Sequence, residues 1–222
     1  LVGITPDWKA FIDRMLGHGL REILDPLPGL KYEMMPDTNW TATAESVRPY
    51  DAIIHFGYYF PRECLEGAER LVCISRYGVG FDRIDVEACT EANVLVALAP
   101  KGSQRPVAEA AIALMFAVAK NLRIYDRWVR DGTWQDKLDE RGICFLGRTL
   151  GSVGLGNIAS ETCRIGRGIG FGRILACDPY VSKERAAEIG VELVDLATVM
   201  RESDFVTVHT PLNPETKGLI GA

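Results

Sequence analysis

The sequence has 222 residues, enough for one large or two small domains, and 47% of them are hydrophobic, as in ordinary globular proteins. The net charge of −5 gives no reason to expect a nucleic-acid partner. Six dispersed cysteines predict reduced thiols rather than disulfides or a metal site. The longest apolar run, residues 110–119, is shorter than the about 20 residues that span a membrane. With no basic leader at the start, we expect a cytoplasmic protein.

Residues 1 to about 100 alternate short apolar strands with amphipathic helical stretches. This alternation predicts a parallel sheet covered by helices, in a small doubly wound α/β domain. The strand candidates are Val2–Thr5, Lys31–Met34, Asp51–Phe56, Arg70–Ile74 and Val94–Ala97, and the helical patterns include Trp8–Leu16 and Arg83–Glu91.

The loop at residues 75–82 contains Arg76, Gly78 and Gly80 in close succession. Two glycines beside an arginine can form a nest of backbone N–H groups that face a carboxylate. The same residues also suit a tight turn that only needs positive φ at a glycine. Both interpretations stay open.

A polar, proline- and glycine-containing stretch at residues 99–106 predicts the crossing between two domains. A helix is expected from about Val107 to Arg130. Its first part is apolar nearly all round, which indicates burial, in the core or against a second subunit. The helix should end near Gly132.

The segment from Leu150 to Ala159 reads as a strand, a glycine turn and the start of a helix. Gly154 lets the chain turn sharply, and Gly156 lets a pyrophosphate approach the backbone. The following helix offers unpaired N–H groups to that anion, and Ala159 allows close packing. This is the G-x-G-x-x-G/A fingerprint of dinucleotide-binding domains.

A second strand, Arg173–Cys177, leads into Asp178, which lies about 20 residues beyond the fingerprint. A carboxylate there is suited to the ribose hydroxyls of NAD and would repel the 2′-phosphate of NADP. The alternative is that Asp178 and Pro179 only form a turn.

Helices near Ser182–Ile189 and Leu196–Arg201 and a strand at residues 204–208 complete the pattern and lead to His209. Three strands can be counted from the fingerprint strand onward, whereas a full dinucleotide domain has about six. We therefore expect this second domain to be incomplete in the chain.

Several separated segments resemble the D-isomer-specific 2-hydroxyacid dehydrogenase family, of the phosphoglycerate dehydrogenase or glyoxylate reductase type. They are residues 76–85, 107–109, 132–134, 150–178 and 203–211, with Thr216 and Leu219. Ser152 departs from the Ile or Val that is usual in the family, and Ala159 from its usual Gly. The family's catalytic Arg, Glu and His lie beyond the last matching segment, so none can be mapped here.

The resemblance implies a flavodoxin-like substrate domain at residues 1–100 and a Rossmann NAD-binding domain at residues 101–222. It further implies hydride transfer between NAD and C2 of a small 2-hydroxy or 2-oxo acid, and a homodimer, with no membrane partner. The implied substrate-binding residues are Arg76, Val79 and Gly80. The implied cofactor-binding residues are Gly154, Gly156, Asn157, Ile158, Asp178, His209, Thr210 and Pro211.

The three histidines, His18, His55 and His209, do not form a recognisable pair with an acid. His209 ends a strand at the ligand-binding edge, but the resemblance assigns it to the cofactor site. We expect a dehydrogenase as the parent protein and no activity in the 222-residue chain itself. The alternatives are an NAD-binding regulator of the corepressor type and an inactive fragment. The identity of the 2-hydroxy acid stays open.

Overall fold

The computed structural model describes residues 1–9, 19–133 and 141–221. These residues form two compact units, Leu1–Pro100 and Lys101–Ala222. Each unit contains a parallel sheet with helical connections, so the predicted α/β class is confirmed.

Unit 1 contains a five-stranded parallel sheet in the order β2-β1-β3-β4-β5. Its strands are β1 (Val2–Ile4), β2 (Tyr32–Met34), β3 (Ala52–His55), β4 (Cys73–Arg76) and β5 (Leu95–Leu98). Its helices are α1 (Arg21–Leu24), α2 (Ala44–Val47) and α3 (Val86–Glu91), with 3-10 turns at Pro6–Trp8 and Arg62–Leu65. The strand order reverses direction between β1 and β3, which is the switch point of a doubly wound sheet.

Strand β4 differs from its predicted position at Arg70–Ile74. It begins at Cys73, opposite Ala52 of β3, and ends at Arg76, opposite His55. Arg70 instead pairs with Asp51 at the protein surface. The apolar run therefore starts before the strand does, because Leu71 is buried within a loop.

Unit 2 contains a four-stranded parallel sheet in the order β8-β7-β6-β9. Its strands are β6 (Thr149–Val153), β7 (Arg173–Cys177), β8 (Glu192–Leu193) and β9 (Phe205–Val208). Its helices are α4 (Pro100–Ala119), α5 (Leu122–Arg130), α6 (Asn157–Gly168), α7 (Lys183–Glu188) and α8 (Leu196–Glu202). Strand β8 was not predicted, since two residues are too few for a periodic pattern.

The boundary between the two units, after Pro100, falls within the stretch predicted as the crossing, residues 99–106, and these residues mostly form the first turns of α4. Pro100 fits there, since proline is tolerated in the first turn of a helix, and Pro106 lies within the helix. The single helix predicted over Val107–Arg130 is two helices, separated at Asn121, whose φ is +52°. His18, Trp134 and most of the helix predicted at Trp8–Leu16 lie outside the described residues.

Helix α4 is not buried all round within this chain. Its buried side chains, Ala108, Ile112, Met115 and Ala119, follow one face at helical spacing. Leu114 and Val118 are 68% and 73% exposed. The apolar character of α4 therefore leaves one face uncovered by its own unit.

Among the residues that the structure describes, no helix combines the length and apolar character that crossing a membrane requires. No group of three potential metal ligands occurs in the same part of the chain. All six cysteines are free, and Cys64, Cys89 and Cys163 are buried.

Candidate cofactor-binding site

The glycine turn after β6 has the backbone geometry that its sequence predicts. Gly154 has a φ of +91°, and a Cβ there would lie 3.2 Å from the carbonyl carbon of His209. Gly156 is the N-cap of α6, and no side chain caps the helix at this position. A Cβ on Gly156 would meet no atom within 4 Å. The backbone at the start of α6 can therefore be approached closely by an anion.

The two family departures are accommodated by local packing. Ala159 is fully buried between α6 and the sheet, where a small side chain is needed. Ser152 is also fully buried, and its hydroxyl donates a 2.6 Å hydrogen bond to the carbonyl oxygen of Gly154. Ser152 thus stabilises the turn that it precedes.

Asp178 lies just beyond β7 and faces the glycine turn. Its Oδ2 accepts a 2.7 Å hydrogen bond from the Leu155 backbone N–H, and its Oδ1 accepts one of 2.9 Å from the Tyr180 N–H. The Tyr180 hydroxyl donates to Glu215 at 2.9 Å. Each carboxylate oxygen of Asp178 keeps a further lone pair for a ligand hydroxyl. Asp178 therefore forms a local turn with Tyr180 and also lies against the fingerprint at Leu155.

His209 follows β9 and is held from two sides. Its backbone N–H donates to the Val153 carbonyl at 2.9 Å. Its ring Nε2 lies 2.9 Å from the Thr207 hydroxyl and 3.3 Å from the Thr162 hydroxyl. Burial lowers the pKa of His209 from its ordinary value, which favours the neutral ring. Its side-chain partners within the described ranges are hydroxyl groups, not carboxylates.

These elements surround a cavity of about 500 Å³ in unit 2. Of the predicted cofactor residues, six line it: Gly154, Gly156, Asp178, His209, Thr210 and Pro211. Asn157 and Ile158 form the first turn of α6 and are not part of the lining. Among the described residues, the lining contains two carboxylates, Asp178 and Glu215, and no lysine or arginine. An acidic, cation-free cavity disfavours a ligand with an additional phosphate.

The remaining lining residues were not predicted to bind the cofactor. These residues are Val153, Cys177, Pro179, Tyr180, Val194, Leu196, Asn213, Glu215, Thr216 and Leu219. Thr216 and Leu219 had been noted as part of the resemblance, and the Thr216 hydroxyl contacts the carbonyl of Pro211. Tyr180 and Glu215 meet only in the folded chain, so no local signal marks them.

Of the predicted substrate residues, Arg76 is the last residue of β4, and Val79 and Gly80 lie in the loop between β4 and α3 of unit 1. The Arg76 guanidinium donates to the carbonyl oxygens of Tyr77 and Gly80, the latter at 2.8 Å. Gly78 has a φ of +136°, and its N–H donates to the Arg76 carbonyl. The N–H of Gly78 is therefore used within a tight turn.

Comparison with known proteins identifies the second unit. The sequence model of "D-isomer specific 2-hydroxyacid dehydrogenase, NAD binding domain" matches residues 112–222. D-3-phosphoglycerate dehydrogenase of Archaeoglobus fulgidus is 40% identical over 87% of this chain and 36% of the relative. The chloroplastic D-3-phosphoglycerate dehydrogenase 2 of Arabidopsis thaliana is 35% identical over 96% and 34%. The chain thus spans about a third of these curated relatives.

Solved structures show the same fold. The apo-structure of D-lactate dehydrogenase from Escherichia coli has a TM-score of 0.75 and 28% identity, over 99% of this chain and 69% of that one. D-Lactate dehydrogenase from Aquifex aeolicus, crystallised with NAD and lactic acid, has a TM-score of 0.81 and 24% identity, over 97% and 62%. At that identity, the Aquifex structure supports the fold alone.

The family match confirms the prediction of NAD as the cofactor, and the glycine turn, the open start of α6 and Asp178 fit such a ligand. The chain belongs to the D-isomer specific 2-hydroxyacid dehydrogenase family.

Proposed function

We propose that this chain is part of an NAD-dependent dehydrogenase that acts on a small 2-hydroxy acid. The observation that carries the proposal is the cavity of unit 2, where the glycine turn, Asp178 and residues 209–211 after β9 come together. Oxidation of the 2-hydroxy acid transfers hydride from C2 to NAD⁺, forms the 2-oxo acid and NADH, and releases the hydroxyl proton. The reverse reaction consumes that proton.

The residues of unit 2 would bind the cofactor as follows. The N–H groups at Gly156, Asn157 and Ile158 at the start of α6 would hold the pyrophosphate. Asp178 would accept hydrogen bonds from the adenosine ribose hydroxyls. His209, Thr210 and Pro211 would form a wall of the site and keep water from it. The acidic lining supports NAD rather than NADP.

Unit 1 would supply the substrate domain. In this proposal the loop with Arg76, Val79 and Gly80 contacts the substrate carboxylate. Because the Arg76 guanidinium donates to two carbonyls of its own loop, we assign it first to shaping that loop. Backbone N–H groups at Val79 and Gly80 would then meet the anion.

Proton transfer is not assigned to the described histidines. His55 is fully buried and its Nε2 contacts the Tyr58 carbonyl at 2.6 Å. His209 contacts two hydroxyl groups. An acid–base histidine is usually oriented by a carboxylate, as in a His–Asp pair. The acid–base group is therefore expected elsewhere in the full-length parent protein.

The deciding experiment follows NADH oxidation by the full-length protein with glyoxylate, hydroxypyruvate and 3-phosphohydroxypyruvate. Hydride transfer above background with any of them supports the dehydrogenase. NADH binding without turnover of any 2-oxo acid would instead indicate an NAD-binding regulator. The absence of NADH binding would overturn the proposal altogether.

A further inference from the structure

Three aromatic side chains meet at the carboxyl edge of the unit 1 sheet. Trp8 follows β1, Phe56 follows β3 and Tyr77 follows β4. The Trp8 ring centroid lies 4.8 Å from that of Phe56 and 4.9 Å from that of Tyr77. Since the sheet order reverses between β1 and β3, this aromatic cluster occupies the switch point, where doubly wound domains bind ligands.

The aromatic cluster is open on one side. Trp8 is 4% exposed, whereas Phe56 is 38% and Tyr77 is 54% exposed. Trp8 therefore forms a buried base on which two accessible rings are packed. Grouped exposed aromatic rings above a buried base are typical of a binding surface for apolar groups.

Two arginines near the aromatic cluster donate hydrogen bonds to backbone carbonyl oxygens of these loops. Arg76 donates to the carbonyls of Tyr77 and Gly80 and lies over the Phe56 ring, 5.8 Å from its centroid. Arg83 donates to the Gly57 carbonyl at 3.0 Å. These hydrogen bonds engage Nε and Nη1 of Arg76 and Nη1 of Arg83, so a phosphate dianion bound at those atoms would compete with established hydrogen bonds.

The carboxylate of Asp7 would also repel a phosphate group near the aromatic cluster. Asp7 Oδ2 accepts a 2.5 Å hydrogen bond from the Gly57 N–H, which fixes this carboxylate beside Phe56. Two buried atoms, Asp7 Oδ1 and Trp8 Nε1, have no hydrogen-bond partner within the described ranges. Because buried polar atoms are nearly always paired, they indicate a polar ligand atom close to the aromatic cluster.

We propose that Trp8, Phe56 and Tyr77 bind the side chain of the 2-oxo acid substrate, and that this side chain is aromatic or otherwise apolar rather than phosphorylated. This inference rests on the proposed 2-hydroxyacid dehydrogenase function. It differs from the substrate named in the curated relatives, which are D-3-phosphoglycerate dehydrogenases.

The test compares kcat/KM of the full-length protein for glyoxylate, phenylpyruvate and 3-phosphohydroxypyruvate, with NADH as the reductant. We expect phenylpyruvate to exceed 3-phosphohydroxypyruvate by at least about tenfold, the discrimination that an apolar pocket can provide. An equal or greater value for 3-phosphohydroxypyruvate would overturn the inference while leaving the dehydrogenase function intact.

Two variants test whether the aromatic cluster is responsible for the preference for phenylpyruvate. Phe56→Ala should lower the ratio of kcat/KM for phenylpyruvate over glyoxylate by about tenfold. The control is Val72→Ala, a 62% exposed residue just before β4, at the other end of the strand. An equal change of the ratio in both variants would contradict the assignment.

Calorimetric titration of phenylpyruvate separates this inference from the proposed function, because it does not depend on turnover. If none of the three acids is reduced, the dehydrogenase proposal fails. Binding of phenylpyruvate that Phe56→Ala weakens and Val72→Ala does not would still support the aromatic cluster as its site. Absent or variant-independent binding would overturn it.

Discussion

Leu155 and Asp178 are joined by a hydrogen bond across the ends of two neighbouring strands, from the Leu155 backbone N–H to Asp178 Oδ2 over 2.7 Å. Leu155 is the central residue of the glycine turn after β6, and Asp178 follows β7. The bond therefore fixes the carboxylate against the turn that should receive the pyrophosphate. A group fixed in this way loses little conformational freedom when a ligand binds.

Asp178→Ala should weaken NADH binding by about 10- to 100-fold, the loss expected when hydrogen bonds to a charged acceptor disappear. NADPH binding should fall less, because the same substitution removes repulsion of the 2′-phosphate. Fluorescence titration of both nucleotides measures the difference. Asp178→Asn is the matched variant, since its amide oxygen can still accept from Leu155. Equal losses for the two nucleotides would show that Asp178 does not hold the ribose.

The two glycines of the turn should respond differently to alanine. Gly154→Ala requires a residue with a side chain at φ +91° and a Cβ 3.2 Å from His209 backbone atoms, which should cost about 2 kcal/mol of stability. Gly156→Ala meets no atom and has a φ of −71°, so the free energy of unfolding should change by less than about 1 kcal/mol.

Gly156→Ala should nevertheless weaken NADH binding by about tenfold or more, because the added Cβ occupies the path of the pyrophosphate. Urea unfolding and NADH titration of both variants separate the two effects. A Gly156→Ala protein with unchanged NADH affinity would exclude close approach of the pyrophosphate at this residue.

Local sequence signals were enough to predict the structure where the residue types of a short segment determine its backbone conformation. The strand Arg173–Cys177 was predicted with the bounds that the structure has, and the turn at Gly154 follows from glycine's freedom at positive φ. The same signals did not reveal the helical conformation of Pro100–Pro106, where proline and glycine lie in turns of α4. The buried face of the same helix begins at Ala108, and packing of the helix as a whole outweighs the weak local preferences.

The candidate site was predictable only in part for a related reason. The fingerprint and Asp178 are linked by a spacing that can be read along the chain. Tyr180 and Glu215 come together although they are 35 positions apart in the sequence, and the aromatic cluster joins three separate loops. Such juxtapositions depend on strand order, and nothing in the individual segments specifies them.

Acid should destabilise the fold through its buried histidines. Burial lowers the pKa of His55 and of His209 from the ordinary 6.5. The unfolded chain therefore binds protons that the folded chain does not, and stability should fall as the pH drops below about 6.5. Proton NMR should give midpoints below 6.5 for both rings in the folded protein and near 6.5 in urea. Folded midpoints at or above the urea values would contradict this assignment.

Glu161 should stabilise unit 2 by linking α4 to α6. Its side chain is 6% exposed and pairs with Arg105 at 2.8 Å and with Arg164 at 2.5 Å. Glu161→Gln should lower the free energy of unfolding by about 1–3 kcal/mol, because a buried carboxylate then no longer pairs two arginines. Glu109 is the control, since it pairs with the same Arg105 but is 57% exposed. Glu109→Gln should cost less than about 0.5 kcal/mol, and similar losses would refute the role of burial.

The homodimer implied by the family resemblance should involve the uncovered faces of α4 and α5. Leu114 and Val118 of α4 are mostly exposed, and Val129 of α5 is 66% exposed. Exposed apolar side chains on successive helices are costly in water and favour association. Val129→Glu should therefore raise the dimer dissociation constant measured by sedimentation equilibrium at micromolar concentration. Ile23→Glu is the control, because Ile23 is equally exposed, at 66%, on α1 of unit 1. A monomeric parent protein, or equal weakening by both variants, would exclude this face as the dimer contact.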